Sequence, residues 1–267
     1  MNWVIENESM LRLAAFLGAL GLMMGWEWLV PARRLKFPRW LRWGSNLGIV
    51  IINTAVLRLL FPILAAGTAI WAAENQWGWL NRMDWPAWLE VVVAIALLDL
   101  AIYLQHVMVH AVPLFWRFHR LHHADLDYDA TTGLRFHPVE IVFSMLIKMA
   151  VVASMGAPLL AVVLFEIILN VGSVFNHGNV RLPAWLEPWV RAIIVTPDMH
   201  RVHHSAIQNE TDSNYGFSLS IWDRIFGTYR KQPVRGHTDM TIGLEYFREG
   251  EELYLHRMLL QPIKNPK

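Results

Sequence analysis

The sequence predicts an all-α fold: a polytopic membrane protein of about four transmembrane or hairpin helices, capped on the cytosolic side by further helices. Two observations predict it. Hydrophobic residues make up 55% of the 267 positions and charged residues 17%, with a mean hydropathy of +0.31. A soluble domain carries about 25% charged residues. The apolar residues also collect in long runs, and about 20 in a row span the roughly 30 Å of a bilayer's hydrocarbon. Tryptophan is abundant, at 14 residues, as expected where indoles anchor at a membrane interface. This balance excludes a disordered chain, a coiled coil and a collagen-like repeat. A net charge of +1 gives no sign of a nucleic-acid partner. The chain has no cysteine, which excludes disulfides, iron–sulfur clusters, thiolate zinc sites and a cysteine nucleophile.

The elements follow in order. Met1 to Ser9 holds two glutamates and no basic residue, so no cleavable signal is expected. A first span runs from about Met10 to Val30 and stops at Pro31. Arg33, Arg34, Lys36, Arg39 and Arg42 follow without an acidic residue, which places this loop in the cytoplasm by the positive-inside rule. A second run extends from about Leu47 to Ala72. A loop with Trp77, Trp79, Trp85 and Trp88 then lies outside. The third run, from about Trp88 to Val112, returns to the cytoplasm and ends at Pro113. From about Val139 to Phe175 the chain is apolar for too long to be one span. Gly156 and Pro158 interrupt it, so two helices in a tight hairpin are expected, dipping into the bilayer and returning. Trp185 to Ile194 reads as an amphipathic piece lying on the membrane surface. The remainder is soluble in character. The chain thus divides into an N-terminal region 1–86, a central unit 87–230 and a cytosolic tail 231–267. Its compactness and the lack of a reticulum-retrieval tail point to a bacterial inner membrane.

Of 12 histidines, eight fall in three clusters. His106 and His110 form HVMVH; His119, His122 and His123 form HRLHH; His200, His203 and His204 form HRVHH. Residues at i, i+3 and i+4 lie on one side of a helix, so each cluster aims two or three imidazoles into one small volume. The span count and the charge count independently place all three clusters on the cytoplasmic side. A lone histidine at a membrane helix end is ordinarily a hydrogen-bonded interface residue. Eight clustered imidazoles in an apolar chain are costly to bury unpaired, and a metal removes that cost. One ion takes about four to six ligands, so two ions are expected. Imidazole suits iron, zinc and copper. No HExxH zinc-protease pattern is present, and haem needs only one or two histidines. A nitrogen-rich di-iron centre for oxygen chemistry fits best.

The same motifs resemble those of the fatty acid hydroxylase/sterol desaturase superfamily of membrane di-iron oxidases. The HxxxH, HxxHH, HxxHH order is similar. So are DSNYGFSLSIWDRIFGTY (Asp212 to Tyr229), TGLRFHPVE (Thr132 to Glu140) and Asn176-His177-Gly178. The resemblance covers about residues 90 to 230. It implies that the eight clustered histidines are metal ligands, joined by His177 and by His137, the latter with a loop-fixing role beside Pro138 as its alternative. It implies that 87–230 is the catalytic domain. It also implies a lipid substrate, hydroxylated or desaturated with O₂ and external electrons. No catalytic residue beyond the metal ligands is expected, and zinc is a possible substitute for iron. No G-x-G-x-x-G fingerprint appears. Electrons are therefore expected from a separate cytochrome b5-like, ferredoxin or flavin reductase partner. A zinc-dependent membrane hydrolase or a non-catalytic metal-binding relative is the competing reading, and a metal transporter is a third.

Supporting residues are sought by helix geometry. Asp99 stands two turns before His106 on the same face, with Tyr103 between, where it could accept a ligand imidazole's outer N–H. Glu166, Asn170, Ser173 and His177 form one polar stripe on an apolar helix, with interhelical hydrogen bonding as the plainer alternative for Asn170 and Ser173. Asp198, with Glu140, Asp212 and Asp223, is a candidate for orienting loops or ligands.

Overall fold

The computed structural model describes residues 6–265, so the start of the segment read as lacking a signal, Met1 to Ile5, lies outside the described residues. Among the described residues the fold is helical throughout, with isolated bridges at Ile194–Leu219 and Ser205–Ile242 and no strand. Helix α1 is Glu8–Leu29 and α2 is Arg39–Leu60; α3 is Ala65–Glu74 and α4 is Ala87–Ala111. Helix α5 (Pro113–His123) follows at once, then the hairpin α6 (Pro138–Met155) and α7 (Leu159–Asn176). The short cap helices are α8 (Glu187–Ile193), α9 (Pro197–His203), α10 (Gln208–Thr211), α11 (Ile221–Ile225), α12 (Gly236–Asp239) and α13 (Leu255–Leu260).

Proline sets most boundaries. Pro38, Pro86 and Pro158 precede α2, α4 and α7, and Pro113 and Pro138 occupy the first position of α5 and α6. There the missing N–H costs nothing and the fixed φ is already helical. Five segments among the described residues are long and apolar enough to cross a membrane: Glu8–Leu29, Arg39–Glu74, Ala87–Ala111, Pro138–Met155 and Leu159–Asn176. These are the three spans and the two-helix hairpin that the apolar runs predict.

The second run needs correction. It is two helices, broken after Leu60 ahead of Pro62, because proline excludes the preceding residue from the α region. It also starts at Arg39 rather than near Leu47. Arg39 and Arg42 therefore belong to its first turn, not to a free basic loop, and Arg42 is fully buried.

The main core lies where α3, α4, α6 and α7 meet, around Leu98, Val152, Ala161 and Phe165. Small residues let the backbones close in. A Cβ on Gly78 would come within 2.1 Å of the Gly156 nitrogen, and both glycines have positive φ. The Trp-rich loop is thereby packed onto the hairpin turn, at the end of the bundle opposite the histidines. A second cluster, Leu20, Met23, Val174 and Val180, joins α1 to α7. A third, Ile49, Leu121 and Met258, joins α13 to α2 and α5. The C-terminal segment is thus packed onto the histidine-bearing helix. The Arg120 guanidinium also donates to the Gln261 carbonyl and, at 2.6 Å, to that of Lys264.

Candidate metal centre

Nine histidines converge at one end of the bundle, in two groups. His106, His110, His119, His123 and His203 form the first; His122, His177, His200 and His204 form the second. Within each group one ring nitrogen per residue lies within 4.8 Å of all the others.

Helix periodicity explains the sorting. At roughly 100° per residue, positions i and i+4 point about 40° apart, while i+3 points about 60° to the other side. Each HxxHH therefore splits. His119 and His123 of α5 go to the first group and His122 to the second. His200 of α9 and the capping His204 go to the second, and His203 to the first. His106 and His110, one turn apart on α4, complete the first group, and His177, the residue capping α7, completes the second.

The outer nitrogens of five of the nine are held by the protein, while Nδ1 of His122, His123, His200 and His204 is buried without a hydrogen-bond partner. Nδ1 of His106 lies 2.7 Å from the Tyr215 carbonyl, that of His203 2.8 Å from Ser213, and that of His177 2.7 Å from Ser173. Nδ1 of His119 lies 2.7 Å from the Glu140 carboxylate, and that of His110 3.3 Å from Asp212. An Nδ1–H donated outward leaves an Nε2 lone pair facing inward.

The inward side fits a metal. Nε2 of His106, His119 and His203 is buried without a hydrogen-bond partner. In the second group, Nε2 of His122, His200 and His204 stands 3.1, 3.1 and 3.2 Å from Nε2 of His177. With its proton on Nδ1, that one nitrogen has a single lone pair and cannot accept from three neighbours. A metal with bonds to nitrogen of about 2.0–2.1 Å separates adjacent ligand nitrogens by roughly 3.0–3.4 Å, which matches. Burial pushes the His122, His123, His200 and His204 imidazoles well below their ordinary pKa. It takes His177 and His203 down to about 3. All six are neutral, the form that binds metal.

The other sought residues are placed differently. His137 joins neither group. Its Nδ1 accepts the Val139 N–H at 3.1 Å and caps α6, and Nε2 faces the Leu259 carbonyl. This is the loop-fixing alternative. Asp99 touches no histidine: it accepts the Leu219 N–H at 3.1 Å and the Trp222 indole N–H at 2.9 Å, holding the 217–222 turn. Glu166 pairs with Arg12 and, at 3.0 Å, with Lys148, and Asn170 donates back to the Glu166 carbonyl. Neither reaches an imidazole. Asp198 pairs with Arg201 at 2.5 Å and Arg181 at 3.6 Å. Asp223 accepts the N–H groups of Tyr215 and Gly216, both at 2.8 Å, and so presents the Tyr215 carbonyl to His106. Tyr103 donates no bond to a histidine; its hydroxyl meets Thr228 at 2.9 Å. Ser173 serves through its backbone carbonyl.

A polar network behind the centre escapes sequence reasoning. Arg42 bonds Asp125 through Nε and Nη2 at 2.9 and 2.8 Å and also bonds Asp129, all buried. Glu27 of α1 accepts the N–H groups of Ala130 and Asn179, each at 2.7 Å. It ties the loop after HRLHH to the loop after His177. The Tyr128 hydroxyl donates to the Asn176 carbonyl at 2.7 Å. The available signal is Asp125, Asp127 and Asp129 at alternate positions directly after HRLHH, in a chain otherwise poor in charge. Gly133 is also required here: a Cβ would stand 2.7 Å from the Ser173 carbonyl and 2.8 Å from His177 Nδ1.

The apolar helical bundle and the paired histidine groups define a class, that of membrane proteins with histidine-rich groups able to hold metal. The chain belongs to the fatty acid hydroxylase family, whose model matches residues 91–228, more than half of its length. It is 30% identical over 159 residues to an ornithine lipid hydroxylase of Rhizobium tropici, covering 60% of this chain and 47% of that protein. It is 31% identical over 221 residues to the alkylglycerol monooxygenase of Xenopus tropicalis, covering 79% of this chain and 44% of that one. A Delta(7)-sterol 5(6)-desaturase of Leptosphaeria maculans is 26% identical over 228 residues, 79% of this chain and 58% of the relative. The chain spans about half the length of the curated relatives it matches. No solved structure matches it.

Proposed function

We propose that this chain is a membrane di-iron oxygenase that hydroxylates or desaturates a lipid. The observation that carries the reading is the pair of all-nitrogen groups, five imidazoles beside four, sharing two interleaved HxxHH motifs. His106, His110, His119, His123 and His203 would hold one iron and His122, His177, His200 and His204 the other. Bound there, the irons supply O₂ activation and removal of hydrogen from an unactivated C–H bond. The balance is one O₂, two electrons and two protons, with hydroxylation giving one water and desaturation two.

The chain's own residues shape that chemistry. Glu140 holds the outer proton of His119, and the Tyr215, Ser213 and Ser173 carbonyls hold those of His106, His203 and His177. Phe136 stacks on the His122 ring at 4.6 Å, and Phe217 lies 6.3 Å from both His106 and His200. These rings exclude water from the second group. A lipid substrate is supported by the relatives' names, which specify an ornithine lipid, an alkylglycerol and a sterol. We place the metal centre on the cytoplasmic side of a bacterial inner membrane and take 87–230 as the catalytic unit. A separate cytochrome b5-like, ferredoxin or flavin reductase delivers the electrons.

Elemental analysis of anaerobically purified, iron-supplemented protein tests the reading. About two irons per chain and O₂-dependent conversion of a lipid with a chemical reductant are expected. Two zincs with O₂-independent hydrolysis would replace this reading with that of a hydrolase.

A further inference from the structure

Helices α8 and α11 bury Arg191 and Asp223 and turn their large apolar side chains outward. Between Leu182 and Ile194 the charged residues are Glu187 and Arg191. Arg191 is buried, 2.5 Å from Glu187, and donates to the Lys231 carbonyl at 2.8 Å. In α11, Asp223 is buried under the Tyr215 and Gly216 amides. Arg224 folds back onto the Ser220 and Arg191 carbonyls at 2.8 and 3.0 Å and lies over the Tyr229 ring. Arg224 stays exposed while so tied down, and the large side chains that face out with it are Trp185 and Trp189, each 74% exposed, with Ile193 at 66%, Ile221 at 46%, Ile225 at 60% and Phe226 at 51%. The two segments abut, since Ser220 donates its N–H to the Ile193 carbonyl at 3.1 Å and Ile194 bridges to Leu219. Water selects the opposite arrangement, and a contiguous apolar surface of this kind marks a partner.

The partner is indicated by continuity with a membrane-spanning surface. Phe226 stacks on Tyr103 of α4, with centroids 5.3 Å apart and planes 17° apart. The next residue of α4, Leu104, is 49% exposed on a helix apolar enough to cross a bilayer. The patch therefore extends the lipid-facing side of α4 sideways at the level of the histidines. Tryptophan at the edge of an apolar face is the pattern of a helix lying in the interface plane.

We infer that the α8–α11 face is immersed in the acyl region of the bilayer leaflet on the metal-centre side, its occupant being phospholipid chains. The inference uses the membrane bundle alone and is independent of the chemistry at the metals.

Because the chain has no cysteine, single labels can be introduced without background. Trp189→Cys and Ile225→Cys each take a nitroxide, and the full chain is reconstituted in phosphatidylcholine vesicles. Leu59→Cys, at a position 84% exposed on α2, is the lipid reference; Asn209→Cys, exposed on α10, is the aqueous one. Power saturation reads collision with O₂, which concentrates in hydrocarbon, against a water-soluble nickel chelate. The expected ratio at 189 and 225 is several-fold above that at 209 and close to that at 59. A ratio like that at 209 at both sites overturns the inference. So does spin–spin broadening that disappears on dilution with unlabelled chain, which identifies a second copy as the occupant. Trp185→Cys, on the same face, replaces either variant that fails to fold.

Discussion

At the scale of single residues, the decisive interactions are those that fix a proton. Glu140 is the one fully buried carboxylate among the partners that the described residues give to the ligand imidazoles, and it meets the outer nitrogen of His119. Replacing it with leucine leaves all nine inward nitrogens present but frees the His119 ring to turn. Loss of such an outer partner weakens metal binding by about 10- to 100-fold. Chelator competition on Glu140→Leu should show that loss, with the helical content unchanged. His237 is a different case, because it touches none of the nine histidines by hydrogen bond. Burial takes its pKa down to about 4, more strongly than Asp198, 3.8 Å away, raises it. From about pH 6.5, its usual value, down to about 4, the unfolded chain takes up this proton and the folded chain does not. The contribution is thus absent above pH 6.5, and stability falls as pH drops through that window. His237→Gln should flatten the slope of unfolding midpoint against pH between 6.5 and 4; an unchanged slope would show that the imidazole titrates freely.

At the scale of elements, two arguments from helix periodicity give opposite lessons. The HxxHH motifs lie within one or two helical turns, so their convergence follows from local periodicity; the expectation that each cluster aims into one small volume needs correction, because His122 points away from His119 and His123 into the second group. From helix geometry alone His177 is one residue of a polar stripe; the Asn176-His177-Gly178 resemblance is what singles it out as a ligand. The same stripe offered Glu166 and Asn170, which meet α1 and α6 or their own helix instead, because a stripe gives direction but not the neighbour it faces. His137 and Asp99 fail for the same reason: the carbonyl of Leu259 and the turn at Leu219 approach from more than a hundred residues away. The sorting itself makes a prediction. His177→Ala leaves three imidazoles in the second group and five in the first, so metal content should fall from two per chain towards one. His119→Ala should deplete the other position and leave four imidazoles in each. Equal loss of both metals in both variants would contradict two separate groups. Arg42 shows the converse limit of sequence reading. A charge count assigns it to a cytoplasmic loop, yet α2 begins early enough to carry it under Asp125 and Asp129. Arg42→Met strands two buried carboxylates, a loss of about 3–5 kcal/mol. Adding Asp125→Asn and Asp129→Asn should return much of the unfolding midpoint, whereas a purely steric role for Arg42 would leave the triple variant as unstable as the single one.

At the scale of the whole molecule, the candidate metal centre is also the joint of the fold. Its nine histidines come from α4, α5, the end of α7 and α9, which are widely separated along the chain, and α9 is also held by Arg201, which donates to the Gly178 and Val180 carbonyls. The all-α membrane bundle was legible because hydrocarbon thickness dictates run length and because proline punctuates the runs. The packing of the cap was not, since Glu27, Arg42 and the C-terminal segment act through contacts distant in sequence. Removing the metals should therefore separate these two parts. Without metal, the buried imidazoles keep their burial cost and lose its compensation, and the inward Nε2 of His106, His119 and His203 has no partner. A ligand that binds only the folded state stabilises it by about 4 kcal/mol at a thousand times its dissociation constant, and two ions act together. Chelated protein in detergent should show early hydrogen exchange in α5 and α9, while the apolar core of α4, α6 and α7 stays protected. Re-addition of ferrous iron or zinc should restore protection with a midpoint near two ions per chain. Uniform loss of protection across cap and core would mean that the metals hold the entire bundle, and no change in either would mean that the nine histidines pack without them.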